Sequence, residues 1–220
     1  MKYKVIKIDL NSKYYPEKLK NINGKPRELY CLGNLELLNY KSIAVIGSRN
    51  YSNYGKRAAM EFSYNLAKQN ICIVSGMARG IDSFAHEATL KAKGKTIAVL
   101  GSGLDVIYPK ENKRLYENII KNDGLIISEY LLGTPPRKQN FPARNRIISG
   151  LSDGVLVIEA RKNSGTNITV DFALEQGKDV FVIPGDIYSK TSDGTNFLIK
   201  EGAIPVTNYK DILDNIWKDS

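Results

Sequence analysis

Residues 43–48 read IAVIGS: a run of four apolar residues, three of them β-branched, closed by a glycine and a serine. The same unit returns as ICIVSG (71–76), IAVLGS (97–102), LIISEY (125–130), VLVIEA (155–160) and VFVIPG (180–185). Successive copies start 25 to 30 residues apart, which is room for one strand and one helix. A strand that is apolar on both faces must be covered on both faces, and this is the mark of a parallel sheet flanked by helices. The segments between the copies agree. GKRAAMEFSYNLAKQN (55–70) puts Ala59, Phe62, Leu66 and Ala67 on one helical face. NRIISGLS and TNITVDFALEQGK behave alike, and Gly177 ends the second as a helix C-cap would. The pattern predicts an α/β fold: an extended Rossmann-type, doubly wound, mostly parallel sheet with helices on both faces.

Residues 1–40 break the repeat and read as a loop-rich lead-in with one extra strand near ELYCLG. Residues 41–220 form the Rossmann-like core. Its last segment, AIPVTNYKDILDNIWKDS, offers a short strand and an amphipathic closing helix.

Composition narrows the function. Hydrophobic residues make up 42% and charged residues 25%, as in ordinary soluble domains. No apolar run approaches the ~20 residues of a membrane span, and the first residues lack the apolar core of a secretory signal. A cytoplasmic protein with no membrane contact is expected. Cys31 and Cys72 each sit in a strand-like apolar run and read as buried thiols. His86 is the only histidine, so no transition-metal site is expected. Neither G-x-G-x-x-G nor G-x-x-x-x-G-K-[ST] occurs, which disfavours a dinucleotide cofactor or a P-loop nucleotide. Thirty-two basic against 23 acidic residues give a net charge of +9, which favours polyanions. More telling is the local run RKQNFPARNR (137–146), which carries Arg137, Lys138, Arg144 and Arg146 and no acid.

In open parallel sheets ligands bind beyond the carboxyl ends of the strands, where helix N-termini converge. Those ends hold Gly47, Ser48 and Arg49, then Ser75 and Gly76, then Gly101. Together with Arg79 and the 137–146 run they form a candidate anion site. The stretch SGMARGIDSFAH (75–86) also gathers Ser75, Asp82, Ser83 and His86, the parts of a hydrolase. VSGMA is not a nucleophile elbow, however. The stretch reads as an anion-facing turn with a buttressing helix, on which His86 either pairs with Asp82 or packs under the sheet edge.

VIGSRNYSNYG, VSGMARGIDSFAH, TIAVLGSGLDVIYP, NFPARNRIISGLSDGVLVIEA, SGTNIT, VFVIPG and GTNFLIKEGA follow one another in the order seen in the DNA-processing protein A family (DprA, also called Smf). The resemblance covers roughly residues 26–206. It implies an extended Rossmann fold that binds single-stranded DNA, forms homodimers and loads RecA recombinase during natural transformation, without enzymatic activity or cofactor. Matched onto the family's motifs, Gly47, Ser48 and Arg49, then Lys138, Phe141, Arg144 and Asn145, would contact DNA, with Arg79 beside them. Phe141 has a second reading as a core residue at a helix start, and Arg144 or Arg146 as a brace reaching a buried carboxylate such as Glu159. Family members often carry an N-terminal helical domain and a C-terminal winged helix, for which 220 residues leave no room. Residues 194–217, read as a final helical segment, are the candidate dimer surface.

The same fold class resembles a second family, the "lonely guy" phosphoribohydrolases, whose signature is P-G-G-x-G-T-x-x-E. Here the matching run is RKNSGTNIT (161–169), which keeps Gly165 and Thr166 but has Thr169 in place of the glutamate. Losing that carboxylate removes the group that hydrolysis needs. A third reading is a sensor that binds a nucleotide without cleaving it. For either, Ser75, Gly76, Gly101, Ser164, Gly165 and Thr166 are the candidate phosphate-cradling turns.

Overall fold

Each repeated unit buries its odd and even residues on opposite faces, and this alternation builds the sheet. The computed structural model describes residues 4–217. The six units become β3 (Ser42–Ile46), β4 (Cys72–Ser75), β5 (Thr96–Leu100), β6 (Leu125–Ser128), β7 (Gly154–Val157) and β8 (Asp179–Val182). Ala44, Val74, Val99, Ile127, Val155 and Val182 point to one face, and Val45, Ile73, Leu156 and Phe181 to the other. The helices between them are α2 (Asn53–Lys68), α3 (Ile81–Lys91), α4 (Lys113–Lys121), α5 (Asn140–Leu151) and α6 (Gly165–Glu175). Helices α5 and α6 cover the first face through Ile147, Leu151 and Val170, whereas α2 and α3 cover the second through Phe62, Leu66, Ile81 and Ala85. Helix α4 completes that layer over β5 and β6 through Leu115 and Ile119. Gly177 follows α6 with φ +66, as its sequence position suggests.

Two expectations are corrected at the ends of the chain. The lead-in supplies two strands rather than one: β1 (Ile6–Asp9) and β2 (Glu28–Gly33), with the short helix α1 (Glu17–Lys20) between them. Strand β1 lies at the sheet edge and buries only Ile8, so it lacks the apolar run that reveals the other strands. Residues 194–217 are not one helical segment. Helix α7 (Asp193–Lys200) stops before Gly202, which has φ +101. Strand β9 (Ile204–Pro205) then pairs with β8 before α8 (Tyr209–Ile216) begins at an Asn208–Asp211 capping box.

The sheet order is β1-β2-β6-β5-β4-β3-β7-β8-β9, antiparallel at β1-β2 and β2-β6 and parallel elsewhere. From β3 the chain steps through β4 and β5 to β6, then returns to place β7 on the other side of β3. That reversal is the switch point at which doubly wound sheets bind ligands.

The turn after β3 rests directly on the N-terminus of α3. Gly80, the N-cap, has φ +80 and ψ −127, and a Cβ there would lie 2.6 Å from the Ser48 carbonyl oxygen and 2.9 Å from that of Arg49. Only glycine reaches that backbone geometry without strain. Gly80→Ala is therefore expected to lower stability by roughly 1–3 kcal/mol, seen as a reduced Tm. An unchanged Tm would show that the turn can move away from α3.

Candidate nucleic-acid interface

A groove of about 580 Å³ opens at the β3–β7 switch point, between residues 46–50, the start of α5 and the turn that begins α6. A pocket of about 70 Å³ adjoins it, lined by Arg49, Arg79, Tyr108 and Phe141. Phe141 is the second residue of α5 and is half-buried, so it is not a core residue. Its ring lies against Gly101, where a Cβ would come within 3.0 Å of it. Asn140 fixes this start of the helix by donating from Nδ2 to the Gly101 carbonyl at 3.0 Å. The Arg49 guanidinium stands 5.6 Å from the Phe141 ring centre, in the range of a cation–π contact. On the ring's neighbouring side lies Tyr108, 5.6 Å away at 41° and 44% exposed. Lys138 is exposed at the groove just before α5.

Around this row the expected site residues separate into two groups. Arg49, Lys138, Phe141 and Asn145 line the groove. Arg79 lines the smaller pocket and is ion-paired with Glu111. Gly47 and Ser48 shape the turn that presents Arg49. A Cβ on Gly47 would lie 2.8 Å from Ile81, and Ser48 Oγ donates to the Asn50 carbonyl at 2.8 Å. Ser164, Gly165 and Thr166 stand at the opposite wall, where α6 starts.

Six residues have other work. Arg144, expected at the DNA, touches the groove and the adjoining pocket but is only 4% exposed. Its Nη1 donates to the Gly76 carbonyl at 2.7 Å and to that of Val99, and its Nε to Asn145 Oδ1 at 3.2 Å. Burial pulls its pKa down to about 10, against the attraction of Asp82. Ser75 is fully buried and donates to the Val45 carbonyl of the adjacent strand at 2.7 Å, so it cradles no phosphate. A Cβ on Gly76 would meet the Arg144 guanidinium at 2.6 Å, so this glycine makes room for that side chain, while Gly101 does the same for Phe141. Arg146 is a brace as well, with Nη2 donating to both Glu129 oxygens at 2.6 and 2.7 Å. Glu159 receives neither arginine. It accepts from Ser52 N at 2.9 Å, Ser52 Oγ at 2.5 Å and Thr191 Oγ1 at 2.9 Å, capping α2 and tying down the loop after β8.

The hydrolase reading of residues 75–86 fails on geometry. His86 is wholly buried, with Nδ1 2.7 Å from Thr96 Oγ1 on β5. Asp82 accepts from Ala78 N at 3.3 Å, and Ser83 Oγ donates to the Ala78 carbonyl at 2.6 Å. Of the two placements open to His86, packing under the sheet is the one found. Tyr108, Asn50 and Arg161 are groove residues that sequence reasoning missed; for Tyr108, an exposed aromatic ahead of a proline is the signal it carried.

A family model described as DNA recombination-mediator protein A matches residues 7–217. The chain belongs to this family. It is 46% identical to Protein Smf of Escherichia coli over 209 residues, which are 95% of this chain and 56% of that one. The chain thus spans little more than half of that relative's length. A crystal structure of DNA processing protein A from Streptococcus pneumoniae superposes with a TM-score of 0.92 at 46% identity, covering 97% of this chain and 75% of that one. DNA processing protein A from Helicobacter pylori, whose structure was described for its single-stranded DNA binding mode, gives 0.88 at 33% identity and covers 100% and 97%. The family fold is the extended Rossmann sheet found here, and the groove lies at its switch point.

Burial, with Arg144 nearby, holds the His86 pKa down at about 3. The unfolded chain, with an ordinary histidine near 6.5, binds the extra proton at higher pH. His86 therefore lets stability stand in full above about pH 6.5 and removes it as pH falls toward 3, at up to about 1.4 kcal/mol per pH unit. His86→Gln is expected to lower stability at pH 7 modestly, to narrow its gap to wild type on acidification, and to leave DNA affinity alone. Denaturant melts at pH 7 and pH 5 check this, and parallel pH profiles would place the histidine in a solvated site.

Proposed function

We propose that this chain is a single-stranded DNA-binding recombination mediator that holds its strand in the switch-point groove. One observation carries the reading: Arg49 lies over Phe141, with Tyr108 alongside, at the rim of an open groove. A cation beside a half-exposed aromatic is how single strands are gripped without reading sequence, the cation taking phosphate and the ring taking a base. Arg49 and Lys138 serve the phosphates, Phe141 the base, and Asn145 and Arg79 the flanks. The family description and the Helicobacter pylori relative support the same class of ligand. Protection of incoming DNA, loading of RecA and a homodimer are the wider role that the family resemblance implies, with the C-terminal elements as the dimer surface.

The hydrolase alternative lacks the carboxylate of its own signature. Thr169 stands where the glutamate is required, and the nearby Glu159 is buried with its oxygens committed to Ser52 and Thr191. Incubation with AMP is expected to release no free adenine. Release that Glu159→Gln abolishes would reverse the non-enzyme reading.

Labelled oligo-dT should bind much more tightly than a blunt duplex of equal length, and equal affinities would count against the proposal. Salt separates the two kinds of contact. Arg49→Ala should flatten the dependence of log K on log salt by about 0.7, the contribution of one single-strand phosphate. Phe141→Ala should cost about 1–3 kcal/mol with the slope nearly unchanged. Anisotropy titrations at several salt concentrations measure both; two variants that bind like wild type would place the strand elsewhere.

A further inference from the structure

Helix α2 carries two stripes. One, with Ala58, Ala59, Phe62 and Leu66, is buried in the core. The other, Asn53, Arg57, Met60 and Tyr64, recurs at i, i+4, i+7 and i+11 and so runs along one outer edge of the helix for about 16 Å. Beside it α3 offers Ala88, whose small side chain leaves a trough between the two helices, and Lys91 one turn further on. The result is an open groove of about 510 Å³ whose accessible lining is almost wholly apolar. It is separate from the switch-point groove and its adjoining pocket, with which it shares no lining residue. Tyr64 is 39% exposed and Met60 half-buried, so this apolar surface stands in water, as interaction sites do. The charged side chains around it are three exposed bases, Lys56, Arg57 and Lys91, and one exposed acid, Glu61. Lys56 is drawn over the Phe84 ring at 5.0 Å, whereas Arg57 and Lys91 have no ion pair among the described residues.

We propose that the α2–α3 groove docks an acidic amphipathic helix of a partner protein, with its apolar face on Met60, Tyr64 and Ala88 and its carboxylates on Arg57 and Lys91. Both walls are helices whose backbone groups are bonded internally, so an added strand finds no edge there and recognition falls to side chains. That is the helix-in-groove mode, and the length of the stripe matches three turns of a guest helix. The excess of unpaired bases at the rim selects carboxylates on the guest. A nucleic-acid strand fits less well, because stacking needs free aromatic faces. Tyr64 is the one aromatic in the lining, and Lys68 Nζ already lies 5.7 Å from its ring centre. A second copy of the chain would bring the same +9 charge to a basic rim. The assignment does not rest on the single-strand reading, and with separate linings the two grooves can be filled together.

The test uses the full chain and three labelled peptides of about 18 residues, long enough to hold a helix. The first has leucines at i, i+3, i+4 and i+7 with glutamates on the flanks. The second exchanges every glutamate for lysine, and the third keeps the first's composition but scatters its leucines off one face. Wild type is expected to bind the first at least about tenfold more tightly than either of the others. R57E/K91E should lose about tenfold on the first peptide and prefer the second, since two attractions become two repulsions. K121E/K210E, the same change of charge on exposed residues outside the groove, should keep the wild-type order of preference. Tyr64→Ser should weaken the first peptide with Tm unchanged, which separates lost contact from lost folding. The proposal is overturned if wild type binds no peptide, if it binds the scattered one as well as the first, or if R57E/K91E behaves like K121E/K210E. Competitive displacement of the first peptide by oligo-dT would make the groove a nucleic-acid surface. A wild-type dimer that R57E/K91E breaks would assign it to a second copy, and either result overturns the proposal too.

Discussion

The placement of the groove depends on one buried cation. Arg144 reaches from α5 beneath the carboxyl ends of β4 and β5 and donates to the carbonyls of Gly76 and Val99. A guanidinium withdrawn from water is tolerated only where its hydrogens are satisfied and its charge is answered, here by carbonyl dipoles and by Asp82. The arrangement fixes α5 against the two strand ends and so sets where its first turn emerges. Phe141, three residues earlier on the same helix, is aimed over Gly101 as a consequence. Lys138 precedes the helix and is carried to the groove with it. The interaction is also exacting: Gly76 must lack a Cβ because Arg144 fills that space.

A second buried charge holds the other side of the switch point. Glu159, at the end of β7, accepts from Ser52 at the N-terminus of α2 and from Thr191 in the loop after β8. A carboxylate suits that helix terminus, and its three short bonds leave it no freedom to act as a base. The two charged joints thus keep the strand-end turns in place on both sides of β3, while Arg49 and Lys138 remain at the surface. Buried charge is used to position, and exposed charge is left for a ligand. The +9 net charge adds a general attraction for polyanions but does not choose the site.

The sequence by itself determined the architecture. Six β-branched runs at near-regular spacing leave a parallel sheet as the consistent packing, because each run has two apolar faces to cover. Arg49, two residues after Gly47 at a strand-end turn, drew notice by its local chemistry and Phe141 by the family resemblance; the structure brings the two together at the groove. Edge strand β1 was not legible, since one buried residue, Ile8, carries no periodicity. What only the tertiary structure decided is the direction and partner of each polar side chain. Ser75 looks like a ligand-facing serine until β3 is placed beside β4 and offers the Val45 carbonyl. Arg144 and Lys138 belong to one basic run, yet one points inward and the other to solvent, because the facing strand ends lie 68 and 45 residues away in sequence from Arg144. Tyr108 meets Phe141, and Thr169 comes to the groove wall, through similarly distant neighbours. Local pattern sets which residues are buried; the strand order decides which donors and acceptors they find there, and no short stretch of sequence contains that order.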